Sequence, residues 1–356
     1  MAETATESRA NRVRGSLIGG AIGDALGYQI EFSHGVAPRM VTRFANDVGI
    51  ISDDTQMTLF TACGLLWRQT RWHLRGIAML PPEAIYLAYL DWLGTQQKVD
   101  EHMSVSWIKD IPELNVLRDP GMTCIEALSS SKAGTLSEPI NDSKGCGGVM
   151  RIAPIPLCIN EDAIGEFSAR SCALTHGHPL AILSAYVLGY IIYYVLADYS
   201  VEEATKTAIQ KMNDWSAKDA VSSYADEKIE LAELCNLAIK LAHSKIENQD
   251  AIRQLGGGWV SEEAIAIAIY CSIKYQDNFE DAIVAAANHD GDSDSTAAIT
   301  GNIIGARVGY EGIPDYYKNN IELKDVILEL ANDLANGVPE EMTDEWLKKY
   351  LYLTRD

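Results

Sequence analysis

The 356-residue chain is short of positive charge: 29 lysines and arginines stand against 50 aspartates and glutamates, a formal net charge of -21. A surface that acidic repels phosphate backbones and argues against nucleic acid as a partner. It does not exclude a small ligand whose phosphates are met by local donors or metal ions. Cysteine pairs are also missing. The seven cysteines, at 63, 124, 146, 158, 172, 235 and 271, form no C-x-x-C. An odd, scattered set reads as reduced thiols in the cytoplasm, the expected location, and not as a disulfide framework. The opening stretch, "MAETATESRANRVRG", lacks the apolar run of a secretory signal. Alternating apolar and polar residues are scarce, and no linker or low-complexity tract divides the chain.

What the chain has is helical periodicity. Helices are predicted near 10–27, 55–69, 81–94, 121–132, 161–175, 179–197, 201–213, 226–246, 261–274, 279–288, 294–310, 323–335 and 343–352. Many helices and almost no strands imply an all-α fold. Residues 1–10 are polar and small and read as a disordered N-terminus, leaving 11–356 as one domain. The longest non-helical stretches, about 28–53, 95–120 and 133–158, are long enough to suggest functional loops. "LAILSAYVLGYIIYYVLA", residues 180–197, carries no charge over 18 residues and meets the lower length limit for a membrane span. It is solitary, central, tyrosine-containing and without flanking basic residues, so a buried core helix is the better reading and no membrane partner is expected.

Two of these helices have a face almost without side chains. In "GSLIGGAIGDALG", Gly15, Gly19, Gly23 and Gly27 recur every fourth residue; in "STAAITGNIIGARVG", Ala297, Gly301, Gly305 and Gly309 do the same. A glycine inside a helix costs roughly 1 kcal/mol relative to alanine. Close approach by a neighbouring helix would compensate, and the two helices are candidates to pack on each other.

Two acidic segments share one design. "ISDDTQMTL" places Ser52, Asp53 and Asp54 before a helical run, and "GDSDST" places Asp292, Asp294 and Ser295 before another. Each alone reads as a helix N-cap. A calcium loop starting at Asp290 fails, because its sixth and twelfth positions would be Ser295 and Gly301 instead of Gly and Glu. If the two segments converge, four carboxylates share one site. Two like charges at 4 Å repel by about 4 kcal/mol at an effective dielectric near 20, and only cations or protons relieve this. Oxygen ligands without histidine or cysteine favour Mg²⁺ or Mn²⁺, as one ion or two. Glu31, in the loop after the first glycine-faced helix, is a third candidate acid. Gly145, Gly147 and Gly148 leave backbone N–H groups open to phosphate oxygens. His176 and His178 precede Pro179, where capping or packing is the plainer role.

The segments "GGAIGDALG" with Glu31 after it, "ISDDTQMT", "PGMTC" (120–124), "GCGGVMRIAP" (145–154), "THGHP" (175–179) and "GDSDSTAAITGNIIGA" (291–306) together resemble the ADP-ribosylglycohydrolase family, which includes the dinitrogenase reductase-activating glycohydrolases. They occur in the family's order over about residues 12 to 310. The resemblance implies a compact single-domain orthogonal helical bundle with two divalent cations, Mg²⁺ or Mn²⁺. The implied activity is hydrolytic release of ADP-ribose from modified protein side chains, most often arginine. By position it implies Ser52, Asp53, Asp54, Asp292, Asp294 and Ser295 as metal ligands and Asp24 as a support behind them. Glu31, Asp54 and Asp294 stay open as the group that takes a proton from water. Gly121, Met122, Ser143, Lys144, Gly145, Cys146, Gly147 and His176 match positions that hold ADP-ribose. The family commonly has asparagine where this chain has Cys146, which trades a carboxamide for a weak thiol donor. An ADP-ribosylated protein is the implied substrate and a modifying ADP-ribosyltransferase an implied partner. The alternatives are a non-catalytic ADP-ribose- or protein-binding module on the same fold, and a metal-dependent hydrolase of another ADP-ribose-containing substrate.

Overall fold

The structure, a computed structural model, describes residues 5–32, 40–98, 104–216, 220 and 224–351. Sixteen α-helices lie within these residues. They are α1 (Ala5–Gly27), α2 (Asp53–Arg75), α3 (Pro81–Gln97), α4 (Met122–Ser129), α5 (Pro154–Cys158), α6 (Glu161–Ala173), α7 (Pro179–Leu196) and α8 (Val201–Asp214). The second half adds α9 (Ala225–Ala242), α10 (Asn248–Leu255), α11 (Ser261–Lys274), α12 (Phe279–Ala287), α13 (Ser293–Gly312), α14 (Asp315–Asn320), α15 (Lys324–Asn336) and α16 (Asp344–Tyr350). No strand ladder forms among the described residues; isolated bridges join Gly49 to Ile321 and Gly145 to Val260. The fold is the all-α bundle that the periodicity implies. The three helices absent from the sequence reading, α5, α10 and α14, span five to eight residues each, too few turns for a 3.6-residue period to stand out.

One boundary differs from expectation. The segment 1–10 read as disordered, yet α1 begins at Ala5. Arg9 donates to the Leu157 carbonyl at 2.5 Å, Ala10 is buried, and Arg14 pairs with Glu7 at 2.6 Å. Tertiary contacts thus carry turns whose own composition is weakly helical. Residues 1–4 lie outside the described residues, as do 33–39 and 99–103 of two of the three expected functional loops.

α7 has the length and hydropathy of a membrane span, but 83% of that stretch is buried inside the fold. It is a core helix, as its context suggested, and packs against α6, α8, α11 and α13.

The axis of the site is the α1–α13 pair. A Cβ placed on Gly15, Gly19, Gly23 or Gly27 would lie 2.2, 2.3, 2.0 or 2.1 Å from the carbonyl oxygens of Gly305, Gly301, Ala297 and Ser293 respectively. Numbers rise by four along one helix as they fall by four along the other, so the helices run antiparallel with backbones touching at four successive turns. The two small-residue faces meet each other. Near its end α13 breaks at Gly309, whose φ of 72° suits glycine. The consequence for function is geometric: the C-terminal end of α1, with Asp24 and the turn to Glu31, is clamped against the N-terminal end of α13, with Asp292 and Asp294.

Candidate metal centre

Each acid in the site sits at a helix end for a local reason. Ser52 is the N-cap of α2, its Oγ accepting from the Asp54 N–H at 3.2 Å. Asp292 is the N-cap of α13, with Oδ1 accepting from the Ser295 N–H at 3.2 Å. Asp294 Oδ1 accepts from the same N–H at 2.8 Å. These are the ordinary capping roles that the sequence offered as the plainer reading. The caps are nevertheless over-supplied, and the extra carboxylates converge.

Asp24 joins the two segments. Although on α1, it accepts the Ser52 N–H on both carboxylate oxygens at 3.0 Å, the Thr55 N–H at 3.0 Å, and the Thr55 hydroxyl. It therefore caps α2 from another helix and fixes where Asp53 and Asp54 point. Asp53 turns one oxygen to the Gly121 N–H at 3.0 Å, and its own N–H donates to the Arg118 carbonyl at 3.1 Å. Asp54 is 3% exposed and its Oδ1 is buried with no hydrogen-bond partner. Glu31, Asp292 and Asp294 each present an oxygen within 4.8 Å of the others. Ser295 is buried beside them with its Oγ 3.9 Å from Met150 Sδ.

Burial and mutual repulsion raise the proton affinity of Asp24, Glu31, Asp53, Asp54 and Asp292. Asp24 is pushed up to about 7 by burial and then by Asp294. Glu31 is pushed up to about 10, first by burial and then by the charges of Asp294 and Asp292. Burial, with Asp294 next or close behind, also raises Asp53, Asp54 and Asp292 well above the carboxylate range. A cluster that must either hold protons or gather cations, and that keeps one buried oxygen without a partner, fits a divalent cation with hard oxygen ligands.

The surrounding loops are pinned to the same place. Gly121 opens α4 beside Asp53, and Met122 after it is 65% exposed. In the 143–148 turn, the Gly145 N–H points at Ser143 Oγ at 3.4 Å, and Ser143 Oγ lies 3.3 Å from Thr123 Oγ1. The Cys146 N–H is spent on the Trp259 carbonyl at 3.2 Å, and Cys146 Sγ contacts Asp292 Oδ2 at 2.7 Å. A Cβ on Gly147 would lie 3.2 Å from Cys124 Sγ and 3.3 Å from the His176 ring. His176 is 1% exposed beneath this turn, its Nδ1 2.8 Å from Thr175 Oγ1. Burial, then Arg151, lowers it to about 3, so it is a neutral packed imidazole supporting the glycines. Lys144 is held outside the cluster's hydrogen bonds, its amine paired with buried Glu262. Of the residues matched to ADP-ribose contacts, these two are engaged elsewhere in the fold.

Sequence reasoning missed Thr55, which holds Asp24, and Gly257, whose carbonyl accepts the Asp292 N–H at 2.8 Å. The signal for the second was the run "GGG" at 256–258. Gly258 has φ of 81°, and a Cβ on Gly291 would lie 1.8 Å from the Gly257 oxygen, so this loop and the aspartate loop meet backbone to backbone.

The family model for ADP-ribosylglycohydrolase matches residues 5–343. Among curated relatives, the ADP-ribosylarginine hydrolase Tri1 of Serratia proteamaculans is 26% identical over 348 residues, covering 93% of this chain and 81% of that protein. The ADP-ribosylhydrolase ARH3 of Homo sapiens is 23% identical over 56% of this chain and 62% of its own length. The ADP-ribosyl-[dinitrogen reductase] glycohydrolase of Rhodospirillum rubrum is 21% identical over 88% and 91%. A solved structure described as an ADP-ribosylglycohydrolase-related protein complex superposes with a TM-score of 0.59 at 21% identity, covering 92% of this chain and 98% of that one, which establishes the shared fold. With a family model spanning nearly its whole length and the fold to match, the chain belongs to the ADP-ribosylglycohydrolases.

Proposed function

We propose that this glycohydrolase is a metal-dependent enzyme that removes ADP-ribose from modified protein side chains, with N-linked ADP-ribosyl-arginine as the preferred substrate. The observation that carries the metal is the buried carboxylate cluster with its unpartnered Asp54 Oδ1. Ser52, Asp53, Asp54, Asp292, Asp294 and Ser295 are the candidate ligands for one or two Mg²⁺ or Mn²⁺ ions, with Glu31 beside them. Bound there, a divalent ion supplies positive charge that polarises ribose hydroxyls and acidifies water. Two considerations favour arginine. The Serratia relative that aligns along 93% of this chain is named for ADP-ribosylarginine. A protein of net charge -21 also draws a cationic guanidinium more strongly than the neutral O-glycosidic link of a serine conjugate.

The reaction then divides among the chain's own groups. Asp24 orients the Ser52–Asp54 turn through four hydrogen bonds and does not itself meet substrate. Glu31, Asp54 and Asp294 are the carboxylates positioned to take a proton from the attacking water. Without cations Glu31 is already protonated at neutral pH, through burial and the charges of Asp294 and Asp292, so it serves as a base only where bound cations offset that repulsion. Gly121 and the 143–148 turn border the acids, with the Gly121 N–H on Asp53 and the Cys146 Sγ on Asp292, and are the candidate neighbours of the pyrophosphate. Most of the rate is expected from holding the ribose C1″ and water together in a site shaped for the developing charge.

The test is a panel of arginine-, serine- and O-acetyl-linked ADP-ribose assayed with Mg²⁺ and with Mn²⁺, following free ADP-ribose by chromatography. Release from the arginine conjugate, lost on chelation and in Asp54→Ala and Asp294→Ala, supports the reading. Full activity in excess chelator refutes the metal, release only from the other linkages refutes the substrate, and binding of ADP-ribose with no release from any conjugate refutes the enzyme.

A further inference from the structure

Cys146 stands where the resemblance leads one to expect asparagine, and its thiol is directed at the acids. Its Sγ lies 2.7 Å from Asp292 Oδ2, a carboxylate of the Glu31–Asp292–Asp294 triad. Asp292 and Asp54 are the carboxylates whose charge it feels most. In the same acidic cluster Asp54 keeps a buried oxygen without a hydrogen-bond partner. The thiol therefore touches a carboxylate of a cluster that still has an unsatisfied oxygen. Its place is set by backbone, with the Cys146 N–H on the Trp259 carbonyl and the Gly145 carbonyl accepting Ser261 Oγ at 2.8 Å. Cys124, whose Sγ would lie 3.2 Å from a Cβ on Gly147, is engaged otherwise and accepts from buried Arg151 at 3.4 Å.

We propose that Cys146 is a sulfur ligand of this centre, giving one cation position a mixed oxygen–thiolate donor set that takes thiophilic divalent ions of the Zn²⁺, Co²⁺ and Cd²⁺ class. This rests on the reading that the carboxylates hold divalent cations. Soft thiolate selects these ions, whereas Mg²⁺ takes oxygen only. With Mg²⁺ the group stays S–H and donates to Asp292. When a thiophilic ion enters, the S–H bond breaks, a sulfur–metal bond forms, and the thiol's proton passes to solvent. An all-oxygen site of the same shape forms no sulfur–metal bond.

The experiment uses the full chain freed of metal by chelation and titrated with Cd²⁺ and Co²⁺, compared with Cys146→Ser and Cys146→Ala. Ultraviolet difference spectra report sulfur-to-metal charge transfer, equilibrium dialysis reports ion bound, and Mg²⁺-induced thermal shifts are run in parallel. Wild type is expected to develop the charge-transfer band with the first equivalent. Both variants should lose it, bind Cd²⁺ roughly tenfold or more weakly, and keep the Mg²⁺ shift, which also shows that they fold. Cd²⁺ bound without the band, or a band that survives in both variants, overturns the thiolate ligand while leaving the carboxylate centre standing. Failure of every divalent ion to bind overturns both.

Discussion

Gly19→Ala gives opposite signs under two accounts of the glycine face. If α1 were an ordinary surface helix, alanine would stabilise it by roughly 1 kcal/mol through propensity. In the structure the new methyl would lie 2.3 Å from the Gly301 oxygen and 3.1 Å from its carbonyl carbon, and separations under 3.0 Å are sterically closed. The obstacle is backbone and cannot rotate away. Relief requires α13 to withdraw by about 1 Å, which forfeits a quarter to half of the dispersion attraction of each opened contact. Because the helices also touch at Gly15, Gly23 and Gly27, the wedge opens neighbouring turns too. Overpacking costs about 1–3 kcal/mol and occasionally more; at a backbone–backbone contact the upper end applies, leaving a net loss of about 2 kcal/mol after the propensity gain. With an unfolding entropy of roughly 2.1 cal/mol/K per residue, 356 residues give about 0.75 kcal/mol/K, so Tm should fall by about 3 °C in calorimetry. Gly27→Ala meets the Ser293 oxygen at 2.1 Å and the Asp294 nitrogen at 2.5 Å. It should destabilise similarly but depress ADP-ribose release far more, because it displaces Asp292 and Asp294. An unchanged or raised Tm in Gly19→Ala would refute the close approach that holds the centre together.

Mg²⁺ or Mn²⁺ at a hundredfold excess over Kd should stabilise the fold by about 2.7 kcal/mol, a rise of about 4 °C by the same entropy. Asp292→Asn should abolish that rise in differential scanning calorimetry, and an equal shift in the variant would remove Asp292 from the ligand set. Asp24→Ala removes the acceptor of the Ser52 and Thr55 N–H groups and should cost about 2–4 kcal/mol in urea unfolding, by analogy with charge-assisted bonds and lost caps. Asp24→Asn should recover part of this, and a neutral Asp24→Ala would show that α2 is positioned by something else. Burial lowers His176 to about 3 and His289 to about 4. A depressed imidazole contributes stability that is whole above its unfolded value near 6.5 and is lost as pH falls toward the folded value. Each should therefore withdraw about 2 kcal/mol by pH 5. Imidazole NMR from pH 8 to 5 should show both rings neutral throughout, and protonation of either above pH 5 would contradict its burial.

The local pattern carried much of the molecule. The identities of the longer helices follow from a period displayed within each segment, and the every-fourth-residue glycines announced a backbone contact before any partner was known. Ser52–Asp53–Asp54 and Asp292–Asp294–Ser295 were recognisable as caps with acids to spare, since capping is decided within one turn. What no window contains is the register of α1 against α13, because that depends on carbonyls nearly three hundred residues away. The register sets which acids meet. It draws Glu31, Asp292 and Asp294 within 4.8 Å, while the packing of α2 and α4 commits Asp53 to the Gly121 N–H and leaves Asp54 Oδ1 bare. Packing among the other segments decides exceptions to motif reading: His176 is buried under the glycine turn, Lys144 is held by Glu262, and the thiol of Cys146 is set on Asp292. Periodicity and capping are short-range and written in neighbouring residues, whereas the electrostatics of a shared site arise from distances between segments, which only the packed fold supplies.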